Sequence, residues 1–251
     1  MPFIPALSPR FELDRLLTPS AARLAPALLH SAAELLRCSL PGPPPYPLWL
    51  DSGGYAALDA RNEVREEAGL GVLRVASYTL TPQSVLHLAV TLQAAVTFTL
   101  DFPSPDPRDK ARRDALSLAN ARWTLAQPRP CRVYACLQPG QDPGPLLELR
   151  PDGIALGGLA PHAANLPLLR EEVTRVRRAL PEDLPLHVFG IGRPEALRCI
   201  RDAGATSADS ASPQRTAVGG RTFDGVALEE PSLAERLNLA VRNLRLALEA
   251  L

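Results

Sequence analysis

Three aspartates close short apolar runs in this chain of 251 residues: Asp51 in LWLDSGG, Asp101 in TFTLDFPSP and Asp209 in TSADS. Gln138 in YACLQPG, Gly157 and Gly158 in IALGGLA, and Phe189-Gly190 in HVFGIG hold the same kind of position. Carboxylates move protons or attack an electrophilic carbon. An amide and a glycine-exposed main chain supply the hydrogen bonds that read the edge of a polar ligand. A single aspartate at a strand end is more often a helix cap or a turn former. The repetition of such ends is informative only if one fold gathers them on one rim.

The elements that must do this are legible as an alternation of short apolar strands and helical stretches. Strands are expected at Phe3–Ala6, Leu36–Leu40, Leu48–Asp51, Val96–Asp101, Arg132–Gln138, Ile154–Gly157, His187–Gly190 and Thr206–Asp209. Helical patterns fall at Ser20–Leu35, Pro82–Gln93, Asp106–Ala126, Leu166–Leu180 and Arg193–Ala203. Alternating β and α units predict a parallel sheet with helical crossovers. Eight strands predict one α/β domain over residues 1–251, a (β/α)8 TIM barrel, whose active site lies at the C-terminal strand ends. An open doubly wound sheet is the alternative, but no G-x-G-x-x-G turn follows the first strand. Thr81-Pro82 and Arg193-Pro194 read as helix starts. Ser232, with Glu235 three residues on, reads as a capping box for a C-terminal helix over Leu233–Leu251. Its face of Leu233, Leu237, Val241, Leu244 and Leu248 should pack on the barrel wall. The Pro-rich stretches 41–47 and 138–145 read as surface loops, and the turn-rich residues 210–231 as a mobile segment.

Formal net charge is zero, with 27 basic and 27 acidic residues, so the chain is not coated in positive charge. A local basic groove is still allowed. Lys110 is the sole lysine; the other basic residues are arginines, whose forked guanidinium suits phosphate. The run Arg108, Lys110, Arg112, Arg113 reads as a solvated helix face. Cys38, Cys131, Cys136 and Cys199 form no C-x-x-C pair, and Cys131 and Cys136 face opposite sides of one strand. They are expected to be reduced thiols of a cytoplasmic protein. No apolar run reaches the length of a membrane span, and the first residues lack the pattern of a secretion signal. His30, His87, His162 and His187 receive no role at this point.

The stretches LWLDSGGYAAL, LTPQSVLHLAVTLQAAVTFTLDFPSP, YACLQPG, IALGGLA, HVFGIGRPEAL and GATSADSASPQRT together resemble the tRNA-guanine transglycosylase superfamily, in its order and at compatible spacing. The resemblance implies a guanine transglycosylase that exchanges guanine for a 7-deazaguanine base in a polynucleotide. It implies Asp209 as the nucleophile that forms a covalent ribosyl-aspartate, and Asp51 as the acid/base. It further implies that Asp101, Gln138 and the Gly157-Gly158 backbone read the base. Tyr55 and Phe189 would clamp it between aromatic faces, and Arg193 and Arg215 would lie near phosphates. No cofactor is implied.

The chain departs from the family pattern at several places. Family enzymes acting on tRNA carry a late C-x-C-x2-C run and a downstream histidine that bind zinc. Here no cysteine follows Cys199, no histidine follows His187, and the histidine's place falls near Arg242. Ala56 stands where a glutamine is usual, and Phe102-Pro103 where a cysteine is usual. These departures are the pattern of a short, zinc-less member related to the DNA-modifying branch, with DNA favoured over tRNA as the substrate. They undercut the family's dimer contact, so a homodimer or a partner subunit is left open. Two competing readings are an N-glycosidase, in which water resolves the ribosyl-enzyme, and a non-catalytic nucleic-acid-binding subunit.

Overall fold

The structure is a computed structural model that describes residues 1–38, 42–75, 77–104, 106–129 and 131–251. In chain order its elements are β1 (Phe3–Pro5), α1 (Glu12–Leu24), β2 (Leu28–Ser31), α2 (Ala32–Leu35), β3 (Leu48–Asp51), a 3-10 turn (Gly54–Leu58), β4 (Glu63–Glu67), β5 (Leu70–Val75), β6 (Tyr78–Leu80), α3 (Pro82–Thr91), β7 (Val96–Phe98), α4 (Pro107–Ala126), β8 (Arg132–Leu137), α5 (Gly144–Leu147), β9 (Gly153–Leu156), α6 (Leu166–Ala179), β10 (Leu186–Val188), α7 (Pro194–Asp202), β11 (Ser207–Ser210), α8 (Ser212–Val218) and α9 (Leu233–Glu249). Eight strands pair in the order β1-β11-β10-β9-β8-β7-β3-β2. A parallel bridge between Ala6 and Leu29 joins the two ends of that order. This is the strand order of a (β/α)8 barrel. The chain divides into two compact units, Met1–Leu29 with Leu156–Leu251, and His30–Ala155.

In the His30–Ala155 unit, β3, β7 and β8 lie in parallel register, with Trp49 opposite Val96 and Phe98 opposite Tyr134. Trp49, Phe98 and Tyr134 meet in tilted and edge-to-face contacts about the strands. Leu48, Leu50, Leu73, Leu80, Leu100 and Phe102 anchor the buried core. The capping box of α3 is present as the sequence predicts, Thr81 Oγ1 accepting from the Ser84 amide at 3.1 Å. An antiparallel sheet, β4-β5-β6, is inserted before α3 and was not expected. Its two-residue turn, Ala68-Gly69, has positive φ at both positions, the geometry of a type I′ hairpin. The signal was an Ala-Gly pair flanked by partial alternation, weaker than Asn-Gly. Gly71 lets this sheet close on α4: an added Cβ would lie 2.3 Å from the Phe102 ring. The buried Asn120 amide donates to the Gly71 and Leu100 carbonyls and accepts the Gly71 N–H.

In the other unit, β1, β11 and β10 are parallel, with Ile4 opposite Asp209 and His187 opposite Ser207. Helix α9 packs on α1, α7 and α8. Its Ser232–Glu235 capping box forms as expected.

Three expectations are corrected. The second strand is Leu28–Ser31, not Leu36–Leu40; residues 36–38 form a turn, and 39 and 40 lie outside the described residues. The helix expected at Ser20–Leu35 is instead α1, ending at Leu24, because Pro26 forces Ala25 into extended backbone. The buried face of α9 is Leu239, Ala240, Asn243, Leu244 and Ala247; of the expected stripe Leu233, Leu237, Val241, Leu244 and Leu248 only Leu244 belongs to it. A buried asparagine decides that rotation. Asn243 accepts the Phe223 N–H at 2.7 Å and donates to the Pro213 and Arg221 carbonyls at 3.0 and 3.1 Å. The same bonds organise residues 210–231, which carry α8.

Candidate active site

In the His30–Ala155 unit the site residues sit where β3, β7 and β8 end. Asp51 is the last residue of β3, and its Oδ2 accepts the Gly53 N–H at 3.1 Å. Asp51 thus forms an Asx turn, which orients the carboxyl. Gly53 adopts the left-handed φ of +84° that bends the chain into the 3-10 turn. Gly54 has no room for a side chain, since a Cβ would lie 1.9 Å from the Asp101 carbonyl oxygen. The DSGG sequence thus seats one loop directly on the backbone of the second aspartate. Tyr55, the next residue, is 65% exposed, so it is no core aromatic and presents its ring outward.

Asp101 follows β7 and does not cap a local turn. Its Oδ2 accepts from Gln138 Nε2 at 2.5 Å, across 37 residues of sequence. Gln138 is itself held by its main chain, whose N–H donates to Gln141 Oε1 at 2.7 Å. Ser52 and Cys136 also hydrogen-bond the Asp101 carboxyl. Asp101 as a residue keeps some solvent exposure, yet protein atoms crowd its carboxyl group. Burial pushes its pKa up to about 6, against the smaller lowering by Gln138, Cys136 and Ser52. Burial and then the Asp101 and Asp51 carboxylates drive the Cys136 thiol well above its ordinary pKa. Cys136 is consequently a thiol donor beside two carboxylates and no thiolate nucleophile. Neither Ser52 nor Cys136 was singled out from sequence.

The other unit holds the remaining residues. Gly157 and Gly158 follow β9, and Gly158 takes φ +72°. Phe189 follows β10, partly buried, and its N–H donates to the Leu156 carbonyl at 3.0 Å. Asp209 lies within β11 and is 5% exposed. Its Oδ1 accepts from His187 Nε2 at 3.1 Å and from the Gly190 amide at 3.2 Å. It does not cap the following turn, where the Ser212 N–H goes to Ser210 Oγ instead. Gly190 reaches Asp209 with φ +76°, at a place where a Cβ would meet Ala160 at 2.7 Å. Phe189 stands edge-on to the His187 ring, with centroids 4.8 Å apart.

His187 is the residue that sequence reasoning passed over. Its signal was the period of two: H-x-F on one strand end and S-x-D on the next place His187, Ser207 and Asp209 on one face. Arg193, ahead of α7, and Arg215, in α8, are exposed and form no ion pair among the described residues. The Arg108–Arg113 run is engaged locally: Arg108 with Asp106, Lys110 with Asp114, and Arg112 and Arg113 with Asp109. Among the described residues no group of three His, Cys, Asp or Glu could hold a metal ion. None of their helices is long and apolar enough to cross a membrane.

Comparison with known proteins adds an independent line. A profile of the queuine tRNA-ribosyltransferase family matches residues 38–248. Queuine tRNA-ribosyltransferase of Desulfosudis oleivorans is 29% identical over 200 residues, covering 70% of this chain and 51% of that protein. The proteins of the same name from Pseudoalteromonas translucida and Methylobacillus flagellatus are each 26% identical, over 195 and 196 residues, and 52% of each is covered. The chain thus spans about half the length of the relatives it matches.

Proposed function

The chain belongs to the queuine tRNA-ribosyltransferase family, and from that premise we propose that it is a pentosyltransferase exchanging guanine for a 7-deazaguanine base in a polynucleotide. The observation that carries the reading is the provision made for Asp209: a nearly buried carboxylate within β11, fixed through one oxygen by two donors. Asp209 attacks C1′ of the target nucleoside as the bond from C1′ to the base nitrogen breaks. The bonding electrons leave with the guanine, and Asp51 supplies the proton it needs. In the second step Asp51 takes a proton from the incoming base, whose nitrogen attacks C1′ and releases Asp209 as a carboxylate. The donors on Asp209 stabilise the charge that returns to it as the ester breaks down.

Asp101 in its charged form only accepts hydrogen bonds, matching the N–H groups of a guanine-type base. Gln138 braces it, and the Gly157-Gly158 main chain reads the carbonyl edge. Tyr55 and Phe189 supply the flat apolar faces. Relatives are named for tRNA; the missing late cysteine-histidine set is the sequence feature that favours DNA.

The test incubates the chain with labelled guanine or labelled 7-deazaguanine and, separately, with bulk tRNA and genomic DNA. By microscopic reversibility a base exchanger also reinserts guanine. Incorporation of label is expected, and a denaturation-resistant adduct with the polynucleotide should form when free base is withheld. Asp209→Ala should abolish both. Base release without incorporation would instead identify a glycosidase, and an active Asp209→Ala variant would refute the mechanism.

A further inference from the structure

We propose that His187 is a positioning residue for the nucleophile, tethering Asp209 by Oδ1 so that Oδ2 is the oxygen that attacks. This rests on the reading of Asp209 given above. The geometry comes from strand register. His187 on β10 lies opposite Ser207 on β11, and Asp209, two residues on, shares the face of Ser207. One imidazole therefore spans both: Nδ1 is 3.0 Å from Ser207 Oγ and Nε2 is 3.1 Å from Asp209 Oδ1. The ring is fully buried.

The direction of each hydrogen bond follows from the chemistry. An ionised carboxylate can only accept, so Nε2 must carry a hydrogen and donate it. In a neutral ring Nδ1 is then the acceptor, and it takes the Ser207 hydroxyl hydrogen. A hydrogen-bonded sequence results, Ser207 to His187 to Asp209, with Ser207 selecting the tautomer. The Gly190 amide donates to the same oxygen at 3.2 Å. Both bonds to Asp209 fall on Oδ1, and among the described residues Oδ2 accepts none. A carboxylate held this way is fixed against rotation about its last torsion while one oxygen keeps its lone pairs for C1′. After attack, Oδ1 is the carbonyl oxygen of the ester. As the ester cleaves, charge returns to the carboxylate and the two donors stabilise it.

The test is labelled-guanine incorporation into whichever bulk polynucleotide the wild-type chain modifies, with kcat and KM measured separately. His187→Phe keeps a flat buried ring and removes both hydrogen bonds. It is expected to lower kcat about a hundredfold, the scale of a misplaced reacting group, and to leave the KM for the polynucleotide unchanged. His187→Gln, whose amide can donate from a similar reach, should recover much of that loss. Ser207→Ala removes only the hydroxyl behind the ring and should give a smaller fall in kcat, again without a change in KM. If His187→Phe does not fold, as judged by circular dichroism, the Gln and Ala variants decide. Wild-type kcat in His187→Phe, or in Ser207→Ala with no rescue pattern among the His187 variants, overturns the inference. Incorporation that survives Asp209→Ala overturns the underlying reading instead, so the two failures are told apart.

Discussion

At the scale of single residues, Asp101 is a crowded carboxylate and Asp209 a well-tethered one. Asp101 is surrounded by neutral donors, Gln138, Cys136 and Ser52, with burial the larger effect on its acidity. Its proton is therefore held up to about pH 6, above the ordinary carboxylate range. The direction of the functional consequence is fixed by that shift. Above about pH 6 the group is charged and accepts the base's N–H groups; below it the group is protonated and that match is lost. Equilibrium binding of 7-deazaguanine should therefore weaken as pH falls through about 6, approaching tenfold per pH unit well below the midpoint. Asp101→Asn should bind more weakly at neutral pH and lose this midpoint. Binding that stays flat between pH 5 and pH 8 in the wild type would remove Asp101 from base recognition.

At the scale of elements, the sequence reported best where spacing alone decides. β3 and the starts of α3, α6 and α9 fall where apolar runs and capping residues put them. Asp51 ends β3, and Gln138, Gly157 and Phe189 come directly after β8, β9 and β10, whereas β7 stops at Phe98 and leaves Asp101 three residues beyond its end. Elements whose formation depends on a distant partner were not legible. The β4-β5 hairpin needs Gly71 packed on Phe102 and α4, and β2 needs the break at Pro26. His187 gains its contact only when β10 pairs with β11. Helix α9 makes the same point, because its buried face is chosen by Asn243 and not by leucine count. Asn243 is fully buried and meets one N–H and two carbonyls of residues 213–223. Asn243→Leu would fill similar space but leave the Phe223 N–H without its partner and take a hydrogen bond from the Pro213 and Arg221 carbonyls, at roughly 1–3 kcal/mol for a buried group left unpaired. Denaturant unfolding should show a loss of at least about 2 kcal/mol on that account. An unchanged midpoint would mean that water reaches those groups.

At the scale of the whole molecule, the question is how a chain of zero net charge would hold a polyanion. Its most concentrated basic run, on α4, is neutralised in place by Asp106, Asp109 and Asp114. Arg113 also donates to the Ala57 and Pro103 carbonyls, and Arg112 to that of Val64, so these guanidinium groups brace loops and the hairpin. Under the proposed reading, phosphate contacts fall to exposed arginines outside this run, among which Arg193 and Arg215 are the two that the family resemblance singles out. Polynucleotide affinity should fall with added salt along a linear log–log slope. Arg193→Ala and Arg215→Ala should each reduce that slope by about 1 and weaken binding alike across sequences, with kcat unchanged. Arg108→Ala, which removes a guanidinium already paired with Asp106, should leave the slope where it was. If Arg108 lowers the slope and Arg193 and Arg215 do not, the backbone runs along α4 and the assignment of the two arginines is wrong.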